Sequence, residues 1–283
     1  MARFVVITSG KGGTGKTTVA LNLAAALAHF GREIILIDSN FHSPHVGLQL
    51  GYTNFQVNLH HALKGEKHIK EAMYRHQSGI KIIPSSIALD HLQYADIEKL
   101  GKLLPELDKE AEVVLLDSST GLHAHTNMLI KFAHDLLVIT TPEITSVADA
   151  LKTIKLARKT NINILGVVVN KITNDGLDMT VESIQSILEV PVIGVIPEHG
   201  HVKESVRLKQ PVVYSHPTSP VTDSFKMLAA QLIGEKYEMP QLEKDEGAMN
   251  ALLKKFNMDY FKGKVQDMKN KIKGEKEDED QTS

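Results

Sequence analysis

Cysteine and tryptophan are both missing from this chain of 283 residues. Without thiols there can be no disulfide, no thiolate zinc site and no protein-ligated iron–sulfur cluster. Long apolar runs are missing too: no stretch approaches the ~18 residues a membrane-spanning helix needs. The N-terminal MARFVVITS has no basic region, long apolar core or small-residue cleavage site, so no secretory signal is expected. Nor is there an excess of one charge. With 32 basic and 34 acidic residues the formal net charge is −2, so no global field draws the chain to nucleic acid. These absences point to a cytoplasmic protein with no sequence-specific nucleic-acid partner. The length suffices for one α/β domain and an appendage.

What is present begins at the first turn of chain. Phe4 to Thr8 is an apolar, β-branched run of strand length, broken by Gly10, Gly12, Gly13 and Gly15, and an apolar helical pattern starts at Thr17. Gly10 through Thr17 fits G-x-x-x-x-G-K-[ST] in the strand–loop–helix setting of a phosphate-binding loop. Glycines let successive backbone N–H groups converge on an anion, and the helix N-terminus adds partial positive charge. The expected nucleotide contacts are therefore Gly10, Gly12, Gly13, Thr14, Gly15, Lys16, Thr17 and Thr18. Lys16 should reach the β- and γ-phosphates, and the Thr17 hydroxyl should ligate Mg²⁺.

Downstream, continuous apolar runs recur at 33–38, 80–83, 113–117, 136–140, 164–170 and 192–196, with helical patterns between most of them. Runs of this kind are strands covered on both faces. Their alternation with helices predicts an α/β fold, a doubly wound, mostly parallel sheet flanked by helices. Functional residues should gather at the strands' carboxyl ends. A helix is expected over 91–104, stopped by Pro105, and a short helical insertion over 52–78.

Position 11 is a second lysine, giving K-G-G-T-G-K-T-T over 11–18. This resembles the deviant Walker A motif of the MinD/ParA ATPases, and further segments in order carry the likeness over about residues 2 to 235. The resemblance implies ATP and Mg²⁺ as cofactors. It also implies that Lys11 acts in trans, on the phosphates of a partner subunit, as an arginine finger would. D-S-N over 38–40 is similar to the family's D-x-D segment, so Asp38 would support the Mg²⁺ shell. Asn40 replaces the acid that positions water; an amide can orient water but cannot take its proton, so slow hydrolysis is expected. E-V-V-L-L-D ending at Asp117 resembles Walker B, a further Mg²⁺ ligand through water, with Gly121 freeing the loop behind it. T-P-E-I-T-S-V-A-D over 141–149 looks like the family's partner-facing segment, placing an unidentified protein partner near Pro142–Asp149. Helix capping by Thr145 or Ser146 explains that segment equally well. Asn170 and Lys171 match the family's base-reading pair, and Pro197 and Glu198 its base border.

Histidines come in close pairs (42/45, 60/61, 123/125 and 199/201). No pair has a complete ligand set at helical spacing, so they are expected in solvent-exposed loops. From Pro240 the composition shifts. Met249, Leu252, Leu253, Phe256, Tyr260 and Phe261 recur at helical spacing among lysines, and an acidic run follows at 275–280. The expected division is an ATPase domain over 1–238, then a linker, basic amphipathic helix and acidic tail over 239–283. A helix over 249–273 could lie on an anionic membrane surface. The reading that follows is a MinD-like ATPase: a homodimer on ATP binding, held peripherally at the inner face of the cell membrane, acting in spatial positioning. The alternatives are a ParA-like partition ATPase binding DNA non-specifically, with Lys152, Lys155, Arg158 and Lys159 as its candidate basic patch, or an ATP-binding scaffold whose tail docks on protein.

Overall fold

Eight runs rich in valine, isoleucine and leucine form one sheet: β1 (Arg3–Ser9), β2 (Ile34–Asp38), β3 (Tyr74–Arg75), β4 (Lys81–Ile83), β5 (Val113–Thr120), β6 (Asp135–Thr140), β7 (Asn163–Ile172) and β8 (Val192–Pro197). The structure is a computed structural model that describes residues 1–237, apart from 53, 89, 91–95, 122–123 and 174–175. Strand order is β3-β4-β2-β5-β1-β6-β7-β8. All pairings are parallel except β3 with β4, an antiparallel contact at the edge. The expected doubly wound sheet is what forms.

Successive residues of β1 feed opposite cores. Phe4 and Val6 pack on one side with Leu59, Leu100, Leu129, Ile154 and Ile184, while Val5 and Ile7 pack on the other with Val19, Leu23, Phe225 and Leu228. The first face is covered by α3 (Leu59–Lys64), α4 (Ile97–Leu103), α5 (Ala124–Ile130), α6 (Ile144–Ala157) and α7 (Val181–Leu188); α1 (Lys16–His29) and α10 (Pro220–Ile233) cover the second. Each such side chain taken fully out of water contributes roughly 1.5–3 kcal/mol, which is why runs with no polar alternation become central strands. Shorter helices α2 (Val46–Gln49), α8 (Gly200–Arg207) and α9 (Val212–Ser215) lie in the connections.

The chain leaves β1 for one half of the sheet, returns through β5, and crosses to the other half at β6. The end of β1, between β5 and β6, is therefore the topological switch point, where ligands settle in open α/β sheets.

Two local expectations need correction. The helix placed over 91–104 begins at Ile97, where the Asp96 carboxylate accepts from the Lys99 N–H; residues 91–95 lie outside the described residues. Its end is as expected: α4 stops at Leu103, just before Pro105, which enters a 3₁₀ turn, Leu104–Leu107, in a first-turn position whose missing N–H costs no bond. The insertion over 52–78 is more than helical: after α3 and a 3₁₀ turn at Ile69–Ala72 it supplies the edge strand β3. The amphipathic segment 249–273 lies outside the described residues. Among the described residues, no helix is long and apolar enough to cross a membrane.

Candidate nucleotide site

The loop after β1 turns through two glycines with left-handed backbone, Gly13 at φ 81° and Gly15 at φ 84°, values that other residues adopt at a cost. Gly10 is needed for a different reason: a Cβ there would lie 2.3 Å from the Asp149 carbonyl carbon in α6. The loop thus fits closely between α1 and α6.

Below it is a buried charged floor. Lys16 is 6% exposed, and its Nζ lies 2.7 Å from Asp117 Oδ1. The Thr17 hydroxyl donates to the other oxygen of Asp117 at 2.6 Å. Asp38, on β2, sits opposite Asp117 in the β2–β5 register, and both are fully buried. Burial first, and the Asp117 carboxylate second, push the Asp38 pKa well above the ordinary carboxylate range, against the bond it accepts from the Val46 N–H. A glycine cradle, an ammonium, a hydroxyl and two acids crowded at one strand edge suit a polyanion with a hard divalent cation. ATP and Mg²⁺ fit these residues.

Two clefts flank the loop and share Gly12, Gly13 and Thr14. The larger, about 660 Å³, is lined by Gly12–Thr18 together with Asn40, His42, Ser43, His45, Gln49, Ser119, Thr120 and His125. The smaller, about 300 Å³, brings Lys11 and Gly12–Thr14 together with Thr141, Pro142, Glu143, Lys171, Thr173, Asp178 and Glu198. Burial first, then His42, whose ring centroid is 5.0 Å away, holds the His125 pKa below its ordinary value. Sequence reasoning singled out neither these histidines nor Gln49 as cleft residues. Their signal was only proximity to Asn40 and Gly121 in sequence.

Each residue expected at the site can be placed. Lys11 extends to the rim, where its Nζ lies 3.1 Å from Glu143 Oε2 and 3.3 Å from Thr145 Oγ1. Asn40 lines the larger cleft, and its amide donates to the Ser43 carbonyl at 2.7 Å. Thr18 faces the same cleft, with Gln49 Oε1 at 3.4 Å from its hydroxyl. The polar ends of Asn170 and Lys171 lie on the loop itself: Asn170 Nδ2 donates to the Thr14 carbonyl at 2.7 Å and Lys171 Nζ to that of Gly13 at 2.8 Å. Pro197 closes β8, and Glu198 follows it into the smaller cleft.

Three expectations change. Ser146 does not cap α6, whose N-cap is Glu143; instead it accepts from the Thr141 N–H at 3.1 Å and meets Thr140 Oγ1 at 3.0 Å, tying the end of β6 to the helix. His60 is not exposed: it is fully buried beside Phe41, and its Nδ1 accepts from the Ser86 N–H. Two members of the basic patch are already paired, Lys152 with Asp149 at 3.0 Å and Arg158 with Glu189 at 2.9 Å.

Known proteins place the same residues in a wider setting. Residues 5–212 match the family described as the CobQ/CobB/MinD/ParA nucleotide binding domain. An uncharacterized ATP-binding protein of Methanocaldococcus jannaschii is 37% identical over 254 residues, 90% of this chain and 96% of that protein. The septum site-determining protein MinD of Synechocystis is 30% identical over 250 residues, 83% of this chain and 91% of that protein. Among solved structures, the septum site-determining protein MinD of Pyrococcus horikoshii, complexed with Mg-ADP, superposes with a TM-score of 0.78 at 30% identity, covering 82% of this chain and 96% of that one. With its phosphate loop at the switch point, its second loop lysine and these relatives, the chain belongs to the MinD/ParA family of P-loop ATPases.

Proposed function

We propose that the chain is a MinD-like switch: two copies associate when each holds Mg²⁺-ATP, and hydrolysis separates them. The observation that carries this reading is the placement of Lys11. It belongs to the phosphate loop, yet its ammonium points along the rim to Glu143 and Thr145, while Lys16 alone occupies the floor. A loop lysine kept at the surface beside the phosphates is positioned to serve a neighbouring molecule.

Backbone N–H groups of Gly12–Thr18 and the Lys16 ammonium would hold the phosphates, Lys16 exchanging Asp117 for them. Thr17, with Asp38 and Asp117, would hold Mg²⁺, which neutralises phosphate charge when bound. Asn40 orients the attacking water, and the lack of a carboxylate there makes hydrolysis slow. Asn170, Lys171, Pro197 and Glu198 border the base. The segment Pro142–Asp149, which already receives Lys11, is the surface for a protein partner. The tail over 249–273 adds avidity for an anionic membrane once doubled in the dimer. Spatial positioning, as in selection of a division site, is the corresponding role.

Size-exclusion chromatography of wild type and Lys11→Ala in Mg²⁺-ATP tests the reading. A wild-type dimer that Lys11→Ala returns to monomer supports it; identical monomer profiles remove it. Phosphate release should rise at least ~10-fold in Asn40→Asp, since a positioned base contributes about 10²–10⁴. An unchanged rate would refute the role of Asn40.

A further inference from the structure

Past Glu198 in the chain, two side chains of α8 and one from the turn after α9 converge. His201 and Glu204 sit three residues apart on α8 and share one face of that helix. His216, the C-cap residue of α9, comes back against them, its ring stacked on that of His201 with centroids 4.4 Å apart. One ligating atom from each of the three lies within 4.8 Å of the other two.

We propose that His201, Glu204 and His216 form a binding site for one borderline divalent cation of the Zn²⁺ class, separate from the Mg²⁺ site at Thr17 and Asp117. Three features support it. His216 Nε2 lies 3.4 Å from Glu204 Oε2. That separation is close to the ~3.3 Å edge of a tetrahedron with bonds of about 2.0–2.1 Å, the coordination zinc takes with imidazole and carboxylate.

Second, each imidazole is oriented through its other nitrogen. His201 Nδ1 shares a 2.8 Å hydrogen bond with Ser219 Oγ, and His216 Nδ1 one of 2.9 Å with Ser215 Oγ. With both Nδ1 atoms engaged, the outer support that metal-binding histidines use, Nε2 is the nitrogen each ring has left for an ion; because the rings are stacked, one of them must tilt for both lone pairs to meet on it. Ser219 is telling. It occupies the N-cap of α10, where a serine hydroxyl ordinarily bonds the first turn, yet it makes no such cap and bonds His201 instead.

Third, the donor set is two imidazoles and one carboxylate, which favours Zn²⁺, Ni²⁺ or Cu²⁺ over Mg²⁺. All three residues are partly exposed, His216 with 18% of its side chain open, so an ion can enter and water completes the shell. In sequence the pair 199/201 looked incomplete because the second imidazole of the set is His216, not His199, and it reaches His201 and Glu204 only when α9 folds back over α8. The bound ion cross-links α8, which begins two residues after Glu198 of the smaller cleft, to the turn between α9 and α10.

The test is a Zn²⁺ titration of the full-length, nucleotide-free protein against a chromophoric chelator, with thermal melting as a second readout. Wild type should withhold one Zn²⁺ per chain and melt higher with the metal present. His216→Gln and Glu204→Gln should each lose that equivalent, although both side chains retain hydrogen-bonding capacity and so keep the fold. Ser219→Ala, which breaks only the outer support, should weaken uptake by about 10–100-fold. Because His42 and His125 form a second histidine pair in the larger cleft, the double variant His42→Ala/His125→Ala is the control and should keep the equivalent. If wild type withholds no more Zn²⁺ than His216→Gln, or if uptake is lost in the His42/His125 variant instead, the contact between His216 and Glu204 is an ordinary ion pair and the site does not exist.

Discussion

Two lysines five positions apart in one loop live in opposite surroundings. Lys16 is buried, 2.7 Å from an aspartate that is itself buried, whereas Lys11 has 43% of its side chain exposed and meets Glu143, 62% exposed, at 3.1 Å. Water screens the second pair, and such exposed contacts contribute about 0–1 kcal/mol. The first pair is shielded, so removing one partner strands a charge in a medium that cannot solvate it. The floor is therefore fixed by its own desolvation and must be offered a phosphate to let go of Asp117. The rim is held so loosely that any stronger anion can take Lys11 away. The proposed switch needs both: a floor that does not rearrange without ligand, and a rim lysine whose contact to its own chain costs little to release.

The largest expected effect is at the floor. Lys16→Ala should weaken ATP binding by at least ~100-fold and leave hydrolysis undetectable, because the principal cation on the phosphates is gone. It should also destabilise the nucleotide-free protein by about 3 kcal/mol, the lower end for a broken buried pair, read from urea melts. Next comes Lys11→Ala. Single-turnover hydrolysis should fall about 10³-fold, as for a missing trans cation, while nucleotide affinity measured by calorimetry stays within a factor of about three. Stability should move by less than ~0.5 kcal/mol. Equal losses of affinity in the two variants would break the comparison, because both lysines would then act in cis.

The buried half of this arrangement was readable from the sequence; the exposed half was not. A strand ending in G-x-x-x-x-G-K-T fixes its lysine by backbone geometry, and a continuous apolar run ending in Asp117 reads as a covered strand with an acid after it. Lys16 and Thr17 therefore sit where local pattern put them, and Asp38 and Asp117 meet them where the family resemblance put them. Contacts among long polar side chains follow no local period. The pairing of Lys11 with Glu143 spans 132 residues, and that of Asn170 with Thr14 spans 156, so neither leaves a mark on its own neighbourhood. The insertion over 52–78 failed for another reason: two residues pairing at a sheet edge, Tyr74 and Arg75, are too short a strand to show alternation.

A smaller effect sharpens the floor. Folding raises the Asp38 pKa above its ordinary 3.8, so the folded protein keeps a proton that the unfolded chain releases. Stability from this group is then greatest in acid and declines as pH rises through the window between the two values. Without nucleotide or Mg²⁺, the melting temperature should fall between about pH 4 and about pH 8, and Asp38→Asn should flatten that fall. A profile unchanged by Asp38→Asn would mean the strain at the floor lies elsewhere.

The smallest effect lies at the rim, and it distinguishes a latch from an incidental contact. Glu143→Gln keeps a hydrogen-bond acceptor near Lys11 but removes the charge that holds it to its own subunit. If the pair must open before Lys11 can reach a second molecule, weakening it adds its small free energy to association. The ATP-dependent dimer should then form about two- to fivefold more tightly, the range set by two exposed ion pairs, one per subunit, of ~0.2–0.5 kcal/mol each. Sedimentation over a concentration series resolves that shift. Weaker association would instead assign Glu143 to the interface itself, where its carboxylate would meet Lys11 of either copy and the rim would be part of the dimer contact instead of a restraint upon it.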